Sequence, residues 1–214
     1  LFFNQGIVHL ERIVVLGGGG HARVLISLIR ATARYEIAGI LDPSLKRETM
    51  VVDIPVLGGD NLLSRQMKEG ITLACIGVGS VGDNSKKISL YKTTKEVGFS
   101  VPCLIHPQAI VTENEVNISE GVQVMAGAII QAGSLVRENT IINTGGIIEH
   151  DCVIGKHVHI CPGAVISGGV TIGDSTFIGS GATIIQGIKI GNNSVVAAGA
   201  VVINDVGDGL KVKG

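Results

Sequence analysis

The stretch from residue 166 to residue 189 reads ISGGVT IGDSTF IGSGAT IIQGIK, which is four units of six residues that each begin with isoleucine. The same period extends in both directions from this stretch and holds without a slip over fifteen units. A period of six matches neither the 3.6 residues of a helical turn nor the alternation of a simple strand. The first residue of each unit is isoleucine or valine, at Ile118, Val124, Ile130, Val136, Ile142, Ile148, Ile154, Ile160, Ile166, Ile172, Ile178, Ile184, Ile190, Val196 and Val202.

A second column, three residues after each aliphatic position, is glycine in nine of the fifteen units and asparagine or aspartate in most of the others. These residue types tolerate the positive φ of a tight corner. Each unit therefore predicts a short strand and a corner, with the aliphatic side chain pointing inward. Three units close a triangular coil, and the fifteen units stack into five coils whose strands pair in parallel about 4.8 Å apart.

The composition agrees with this repeat and excludes several classes of protein. The chain of 214 residues has 31 glycines, 3% aromatic residues and a net charge of −1. A hydrophobic content of 45% excludes a disordered chain, and the absence of a basic field argues against nucleic acid or acidic lipid as partners. No apolar run approaches the roughly 18 residues of a membrane span. The four cysteines form no CxxC pair and no signal peptide is visible, which predicts a reduced, cytoplasmic protein.

The residues before the repeat alternate between strand and helix patterns, which predicts a small parallel α/β unit. Strands are expected at 11–16, 36–41, 71–76 and 99–104, and helices at 23–30 and 85–97. We divide the chain into a leader at 1–10 that looks like a purification-tag remnant, a Rossmann-like domain at 11–104, a β-helix at 105–206 and a tail at 207–214. The tail ends without an evident terminating element.

A glycine-rich turn follows the first predicted strand. Gly17, Gly19 and Ala22 fit the pattern G-x-G-x-x-G/A, and Asp42 lies twenty residues after Ala22. The segment is only about half of a dinucleotide-binding fold, so it favours the pyrophosphate of a nucleotide, or the sugar beside it, over NAD. A helix N-terminus offers backbone N–H groups to such a ligand. A tight turn without any ligand remains an alternative.

Among the six histidines, His150 is distinguished by the acid that follows it. Asp151 occupies a corner position where glycine is usual. At a corner both side chains can project outward, so that Asp151 could orient the imidazole of His150 for general-base catalysis. A solvated polar corner is the alternative.

The period of six over residues 106–206 resembles the hexapeptide-repeat acyltransferases, whose fold is the left-handed parallel β-helix. The turn Gly18-Gly19-Gly20-His21, the strand end Leu41-Asp42, the Ile76-Gly77 turn and the order of the domains are similar to one subgroup. That subgroup, the PglD/NeuD type, contains nucleotide-amino-sugar N-acetyltransferases and sialic-acid O-acetyltransferases. The resemblance implies acetyl-CoA as donor, no metal, and a homotrimer with active sites between adjacent subunits.

The resemblance also implies roles for individual residues. His150 would be the general base and Asp151 its orienting acid, where glutamate is common in relatives. Asn143 would be a polar neighbour of the catalytic histidine, and His159 would contact the acyl end of the donor. The nucleotide sugar would contact Gly19, His21, Asp42, Gly77 and Asn143. Acetyl-CoA would contact His159, Gly168, Gly169, Gly181 and Ala198, with the amides of Gly168 and Gly169 stabilising the oxyanion.

The resulting hypothesis is acetylation of the amino group, at C4, of a nucleotide-linked sugar. O-acetylation of a sialic acid is a close alternative. Two alternatives of other classes are a zinc carbonic anhydrase that uses His150, His157 and His159, and a β-helix that acts only as a scaffold. The sequence does not distinguish UDP, GDP and dTDP sugars.

Overall fold

The computed structural model describes residues 10–80, 82–113 and 115–213. All but the last residue of the predicted leader lies outside the described residues. Within them, the chain forms an α/β domain followed by a long stack of two-residue strands. None of the helices in these ranges is long and apolar enough to cross a membrane.

The α/β domain is one five-stranded sheet with helices on both faces. The strand order is β3-β4-β2-β1-β5, and all neighbours are parallel except β3 and β4. The strands are β1 (Glu11–Leu16), β2 (Tyr35–Leu41), β3 (Met50–Val51), β4 (Ile54–Gly58) and β5 (Leu73–Ile76). The helices are α1 (Gly20–Thr32), α2 (Leu63–Lys68) and α3 (Ser85–Val97), with a 3-10 turn at Asp60–Leu62.

Most elements of this domain agree with the sequence patterns. Helix α1 is longer than the predicted 23–30 because Gly20 and His21 of the turn already form its first residues and the helix continues to Thr32. The hairpin β3–β4 and the six-residue helix α2 were not predicted, since such short elements have no periodicity. The strand predicted at 99–104 is wrong for most of its length, because Ser100 forms only an isolated bridge with Leu73.

The second domain is a triangular prism of parallel strands. Successive strands of one face lie eighteen residues apart, as Leu135 pairs with Val153 and Val153 with Thr171. Three sheets of seven, six and five strands form the faces, which we call face I, face II and face III.

Face I contains β6 (Leu104–Ile105), β9 (Gln123–Val124), β12 (Ile141–Ile142), β15 (His159–Ile160), β18 (Phe177–Ile178), β21 (Val195–Val196) and β23 (Lys211–Val212). Face II contains β7 (Ile110–Val111), β10 (Ile129–Ile130), β13 (Ile147–Ile148), β16 (Val165–Ile166), β19 (Thr183–Ile184) and β22 (Val201–Val202). Face III contains β8 (Asn117–Ile118), β11 (Leu135–Val136), β14 (Val153–Ile154), β17 (Thr171–Ile172) and β20 (Lys189–Ile190).

The repeat columns have the environments that the period predicts. All aliphatic positions except the half-buried Ile118 are fully buried inside the prism. All corner positions except Asp205 have positive φ, including the non-glycine residues Asn139, Asp151, His157, Ser175 and Asn193. Asp205 lies in the last unit, where the coil becomes irregular and only Val206 bridges to Ile190.

The α/β domain packs on face I. Met125 and Ile141, which point outward from that face, are buried in the same apolar cluster as Ile13 and Leu25 of the first domain. Hydrogen bonds also cross the junction, where the amide Nδ2 of Asn84 donates to the carbonyl of Ser175 (2.9 Å). Among the described residues, this packing leaves faces II and III uncovered.

Candidate active site

The predicted site residues are divided between the two ends of face II. The chain passes from face I to face II at the I–II corner, which carries Asn143, and from face II to face III at the II–III corner, which carries His150. A cavity between the two domains opens at the first corner, and the His150–Asp151 pair lies at the second. Within one chain these two groups are separated by the width of face II.

The interdomain cavity has a volume of about 670 Å³. The loops that follow β1, β2 and β5 form one wall, and the I–II corner forms the other. Parallel strands place their ligand sites at their carboxyl ends, and this cavity follows that rule. Its lining residues are Gly17, Gly19, Gly20, His21, Val24, Asp42, Ser44, Gly77, Val78, Gly79, Ser80, Lys86, Asn143, Thr144, His159 and Pro162.

The glycine-rich turn presents the start of α1 to the cavity. A Cβ built on Gly19 or Gly20 would meet no atom within 4 Å, so the backbone there is open. The first turn of α1 has no acidic side chain, and the Lys86 side chain lines the same cavity. Free N–H groups at a helix N-terminus together with a lysine favour an anion such as a diphosphate. Gly17 has a φ of +99°, and a Cβ there would come within 2.5 Å of Val78, so the turn requires glycine.

Asp42 joins the ends of β1 and β2. Its Oδ2 accepts a hydrogen bond from the Gly18 amide, and its Oδ1 accepts one from the Ser44 amide (both 2.8 Å). Burial alone would raise the pKa of Asp42, but the hydrogen bonds from Ser44 and Gly18 outweigh burial and lower it. Asp42 is therefore a carboxylate with a fixed position in the wall of the cavity. Much of its hydrogen-bonding capacity is used by the backbone amides of Gly18 and Ser44, which holds the loop in shape.

His21 is held by a side chain of the β-helix. The amide Nε2 of Gln123 donates to the carbonyl of Ile76 (2.8 Å), so its Oε1 must accept the hydrogen bond from His21 Nε2–H (2.8 Å). Burial lowers the pKa of His21, which keeps the ring neutral. The unprotonated Nδ1 is therefore an acceptor in a residue that lines the cavity.

Asn143 and His159 lie in this cavity, and their side chains are 3.2 Å apart from Asn143 Nδ2 to His159 Nε2. Within one chain Asn143 and His150 occupy different corners of the same coil, so the expectation that Asn143 neighbours the catalytic histidine stays a prediction that depends on a second subunit. His159 is only 5% exposed and faces the first domain from β15.

His150 and Asp151 form the predicted pair at the II–III corner. The positive φ of Asp151 places both side chains on the same side of the corner, and His150 Nδ1 lies 2.9 Å from Asp151 Oδ2. The side chains are 57% and 72% exposed. The ring lies directly against Gly168 of the next coil, where a Cβ would come within 2.5 Å of His150 Nε2.

The backbone amides near His150 differ in their availability. The Gly169 amide donates to the carbonyl of His150 (2.9 Å), so it is not free to donate to an oxyanion in this structure. The Gly181 amide is likewise used, by the carbonyl of Pro162 (3.0 Å). Within the described residues, the amides of Gly168 and Ala198 donate to no backbone carbonyl. Gly168 lies at the II–III corner, whereas Gly181 and Ala198 lie at the I–II corner.

Several lining residues have no signal in the sequence. Ser44, Lys86 and Thr144 enter the cavity only because the loops and the I–II corner converge in space. Gln123 is an ordinary polar residue on a strand, and only the docking of the first domain gives it His21 as a partner. A lysine two residues into α3 carried no motif that could have identified it.

The remaining histidine of the coils lies elsewhere. His157 is at the III–I corner, where it packs edge-on against Tyr91, with 5.7 Å between ring centroids. His150, His157 and His159 therefore point to three different environments. Over residues 10–80, 82–113 and 115–213, no three His, Cys, Asp or Glu side chains are placed to hold a metal ion.

Comparison with known proteins matches both domains. Residues 12–94 match a family described as the PglD N-terminal domain, and residues 169–203 match the hexapeptide repeat of succinyl-transferase. A histidine-to-asparagine variant of perosamine N-acetyltransferase from Caulobacter crescentus, in complex with CoA and GDP-perosamine, is 36% identical with a TM-score of 0.88. That match covers 95% of this chain and 93% of the other.

A second solved structure is similar over the same extent. The acetyltransferase domain of PglB from Neisseria gonorrhoeae FA1090, in complex with acetyl coenzyme A, is 34% identical with a TM-score of 0.87. The match covers 96% of this chain and 97% of that domain. WeeI from Acinetobacter baumannii AYE, at 24% identity and a TM-score of 0.81, shares the fold.

Proposed function

The chain belongs to the PglD-type hexapeptide-repeat acetyltransferases, so it is an acetyl-CoA-dependent N-acetyltransferase, and we propose that its acceptor is the 4-amino group of a nucleotide-linked sugar. The observation that carries the proposal is the His150–Asp151 pair, held against Gly168 at an exposed corner. Acetyl-CoA and nucleotide sugars are cytoplasmic metabolites, which supports a cytoplasmic site of reaction.

The interdomain cavity is the proposed acceptor site. The open N-terminus of α1 and the Lys86 ammonium group would bind the diphosphate, and the fixed loop at Asp42 would hold the nucleoside side. The sugar would then extend toward Asn143 at the I–II corner. The similar perosamine N-acetyltransferase binds GDP-perosamine, which supports an amino-sugar nucleotide of this class.

The proposed reaction is direct transfer without a covalent enzyme intermediate. The amine nitrogen attacks the thioester carbonyl, and His150 Nε2 removes the proton from that nitrogen while Asp151 accepts the hydrogen bond from Nδ1–H. The amide of Gly168 would donate to the oxyanion of the tetrahedral intermediate. When the C–S bond breaks, the proton held by His150 neutralises the departing thiolate and CoA leaves. Cys152 is fully buried and takes no part.

The separation of His150 from the cavity supports a homotrimer. If three prisms pack around a threefold axis with face II toward that axis, the II–III corner of one subunit meets the I–II corner of the next. Asn143 and His150 belong to the same coil and differ in height by only about 2 Å at 4.8 Å per coil. The rotation would therefore bring His150 of one subunit to the cavity of its neighbour.

The outward side chains of face II fit such an interface. They form a continuous column of aliphatic residues and one threonine along the prism, and the first domain leaves them uncovered. The column consists of Ile110, Ile129, Ile147, Val165, Thr183 and Val201. Burial of this column would stabilise the trimer. The free amides of Gly168 and Ala198 would then line one groove, from opposite sides, for acetyl-CoA.

The experiment that tests the function is release of CoA thiol across UDP-, GDP- and dTDP-linked 4-amino sugars, with sialic acid as the O-acetylation arm. We expect turnover with one amino-sugar class, and His150→Ala should lower kcat by at least ~10²-fold. His157→Ala is the matched control, because His157 lies at a different corner. Turnover only with the hydroxyl acceptor would contradict the assignment of the acceptor, and near-normal turnover by His150→Ala would contradict that of the base.

A further inference from the structure

A second cavity lies in the first domain, on the face of the sheet opposite α1. It has a volume of about 400 Å³, which is within the range of small-molecule sites. The sheet forms its floor, and α2 together with the chain that follows β4 forms its wall. Within the described residues it shares no lining residue with the interdomain cavity. We call this second cavity the arginine groove.

Three arginines from separate elements converge on the groove. Arg12 belongs to β1, Arg47 to the connection between β2 and β3, and Arg65 to α2. Because these positions are far apart in the chain, no motif in the sequence announces them. Guanidinium groups are planar cations that bind carboxylate or phosphate through paired hydrogen bonds. Their convergence in one concave site favours an anion.

The acidic side chain in the groove does not neutralise these charges. Glu69 Oε1 accepts a hydrogen bond from Arg65 Nε (2.8 Å), and its Oε2 accepts one from Gln66 Nε2 (3.1 Å). Both oxygens of Glu69 therefore have partners on α2. In the part of the chain that the structure describes, neither Arg12 nor Arg47 forms an ion pair. The groove thus carries a net positive charge in a chain whose net charge is −1.

The floor of the groove is apolar. Leu57 and Leu62 are half-buried and pack, with Ala38, against the core between the sheet and α2. Leu57 lies across Gly39 of β2, where a Cβ would come within 2.5 Å of it. A cationic rim above an aliphatic floor fits a ligand that has an anionic group and an apolar part. A bare inorganic ion would leave the floor uncovered.

We propose that the arginine groove is a binding site for an organic phosphate. Its phosphoryl oxygens bind the guanidinium groups of Arg12, Arg47 and Arg65, and its apolar part packs on Leu57 and Leu62. The site is separate from the proposed acceptor site, so its existence does not depend on which nucleotide sugar the protein acetylates.

The test titrates phenyl phosphate, a ring with one phosphoryl group, into Gly20→Asp protein and follows binding by calorimetry. The aspartate blocks the proposed anion site at the start of α1, where a Cβ meets no atom within 4 Å. At about pH 8 the phosphoryl group is a dianion, and an ionic strength of about 0.01 M limits screening. We expect one binding event per chain. Absence of binding would overturn the proposal.

Two further comparisons locate the event in the groove. In the same background, Arg47→Gln should weaken binding roughly tenfold, as for a lost charge-assisted hydrogen bond. Lys46→Gln removes the same charge from the adjacent position, which does not line the groove, and should have an effect below about twofold. Inorganic phosphate should bind more weakly than phenyl phosphate. Equal losses in the two variants, or equal affinities for the two phosphates, would contradict the proposed site, and unchanged thermal midpoints control for folding.

Discussion

Ala132, His150, Gly168 and Gln186 occupy the same position in four successive coils at the II–III corner. The repeat therefore accepts residues of very different size at this position, and the backbone does not require glycine there. Gly168 is not among the residues with positive φ, so an alanine fits the conformation. The three atoms nearest to a Cβ built at Gly168 all belong to the ring of His150, and the closest of them lies at 2.5 Å. At the scale of single residues, glycine at position 168 leaves room for the ring of His150 in the preceding coil.

Gly168→Ala is expected to displace the His150 ring and lower kcat by about 10²-fold, because small misplacements of a catalytic group have effects of this size. The thermal midpoint should be unchanged, since the coil tolerates alanine at Ala132. In a His150→Ala background the same substitution should have little further effect, because both changes act through one group. Full activity of Gly168→Ala, or an equal loss in both backgrounds, would contradict this account of Gly168. Steady-state kinetics and thermal denaturation of the four proteins supply the measurement.

The sequence predicts residues that act within the repeat better than residues that act between domains. His150 and Asp151 stand out because Asp151 replaces the usual glycine of the corner column and directly follows a histidine, and the corner geometry then gives their hydrogen bond. The partners of His159 were not predictable, since Ser80 is 79 residues away and meets it only when the first domain docks. The use of the Gly169 amide by His150 also depends on the stacking of coils and leaves no sign in the residue types.

At the scale of elements, α3 is attached to the β-helix by an unusual buried cation. Lys87 is 1% exposed, and its Nζ donates to the carbonyl of Val158 (3.2 Å). Burial lowers the pKa of Lys87 to about 7. The titratable groups whose pKa values reflect its charge are His21, His157, His159 and Cys161. We therefore expect the stability that α3 contributes by docking to depend on pH.

The direction of this dependence follows from proton linkage. Below about pH 7 both the folded and the unfolded chain hold the Lys87 proton, and between about pH 7 and its ordinary pKa only the unfolded chain holds it. The free energy of unfolding should therefore rise with pH above 7. Lys87→Met should remove this rise, whereas Lys92→Met, on the exposed side of α3, should retain it. Urea denaturation between about pH 7 and 7.8 stays below the pKa of about 8.5 at which unfolded cysteines ionise. A slope in Lys87→Met equal to that of the unaltered protein would contradict the assignment.

The sequence indicated α3 itself but not this attachment. The limits 85–97 follow from the helical pattern, and the structure has the same limits. From residue types alone, Lys87 cannot be distinguished from an ordinary polar residue on the exposed side of a surface helix. The energetically important fact, that face I covers this lysine, arises only from the packing of two domains whose elements were each predicted separately.

At the scale of the whole molecule, the single chain has the proposed acceptor cavity at one end of face II and the proposed general base at the other. The aliphatic column between them is exposed at both ends, where Ile110 is 61% and Val201 is 56% exposed. A threefold arrangement around this face would bury the column and join each cavity to the His150 of a neighbour. Complementation between two inactive variants tests this arrangement directly.

The two variants inactivate different halves of the site. His150→Ala leaves the cavity intact. Gly20→Asp leaves His150 intact and places a carboxylate at the open N-terminus of α1, where a Cβ meets no atom within 4 Å and an anionic diphosphate would be repelled. Each variant alone should form an inactive trimer with normal thermal stability.

Co-expressed with different affinity tags and purified through both, the two variants form mixed trimers of either 2:1 or 1:2 composition. In a cyclic trimer of either kind, one cavity of three has an intact partner that supplies His150, so activity should return to roughly one third of the normal value. If each chain contained a complete site, every site in the mixed trimer would carry one of the two lesions and activity would remain absent. A monomer or dimer by analytical ultracentrifugation would also contradict the arrangement. The recovered fraction therefore reports where the catalytic base comes from, since only a site assembled from two subunits can combine the intact half of each.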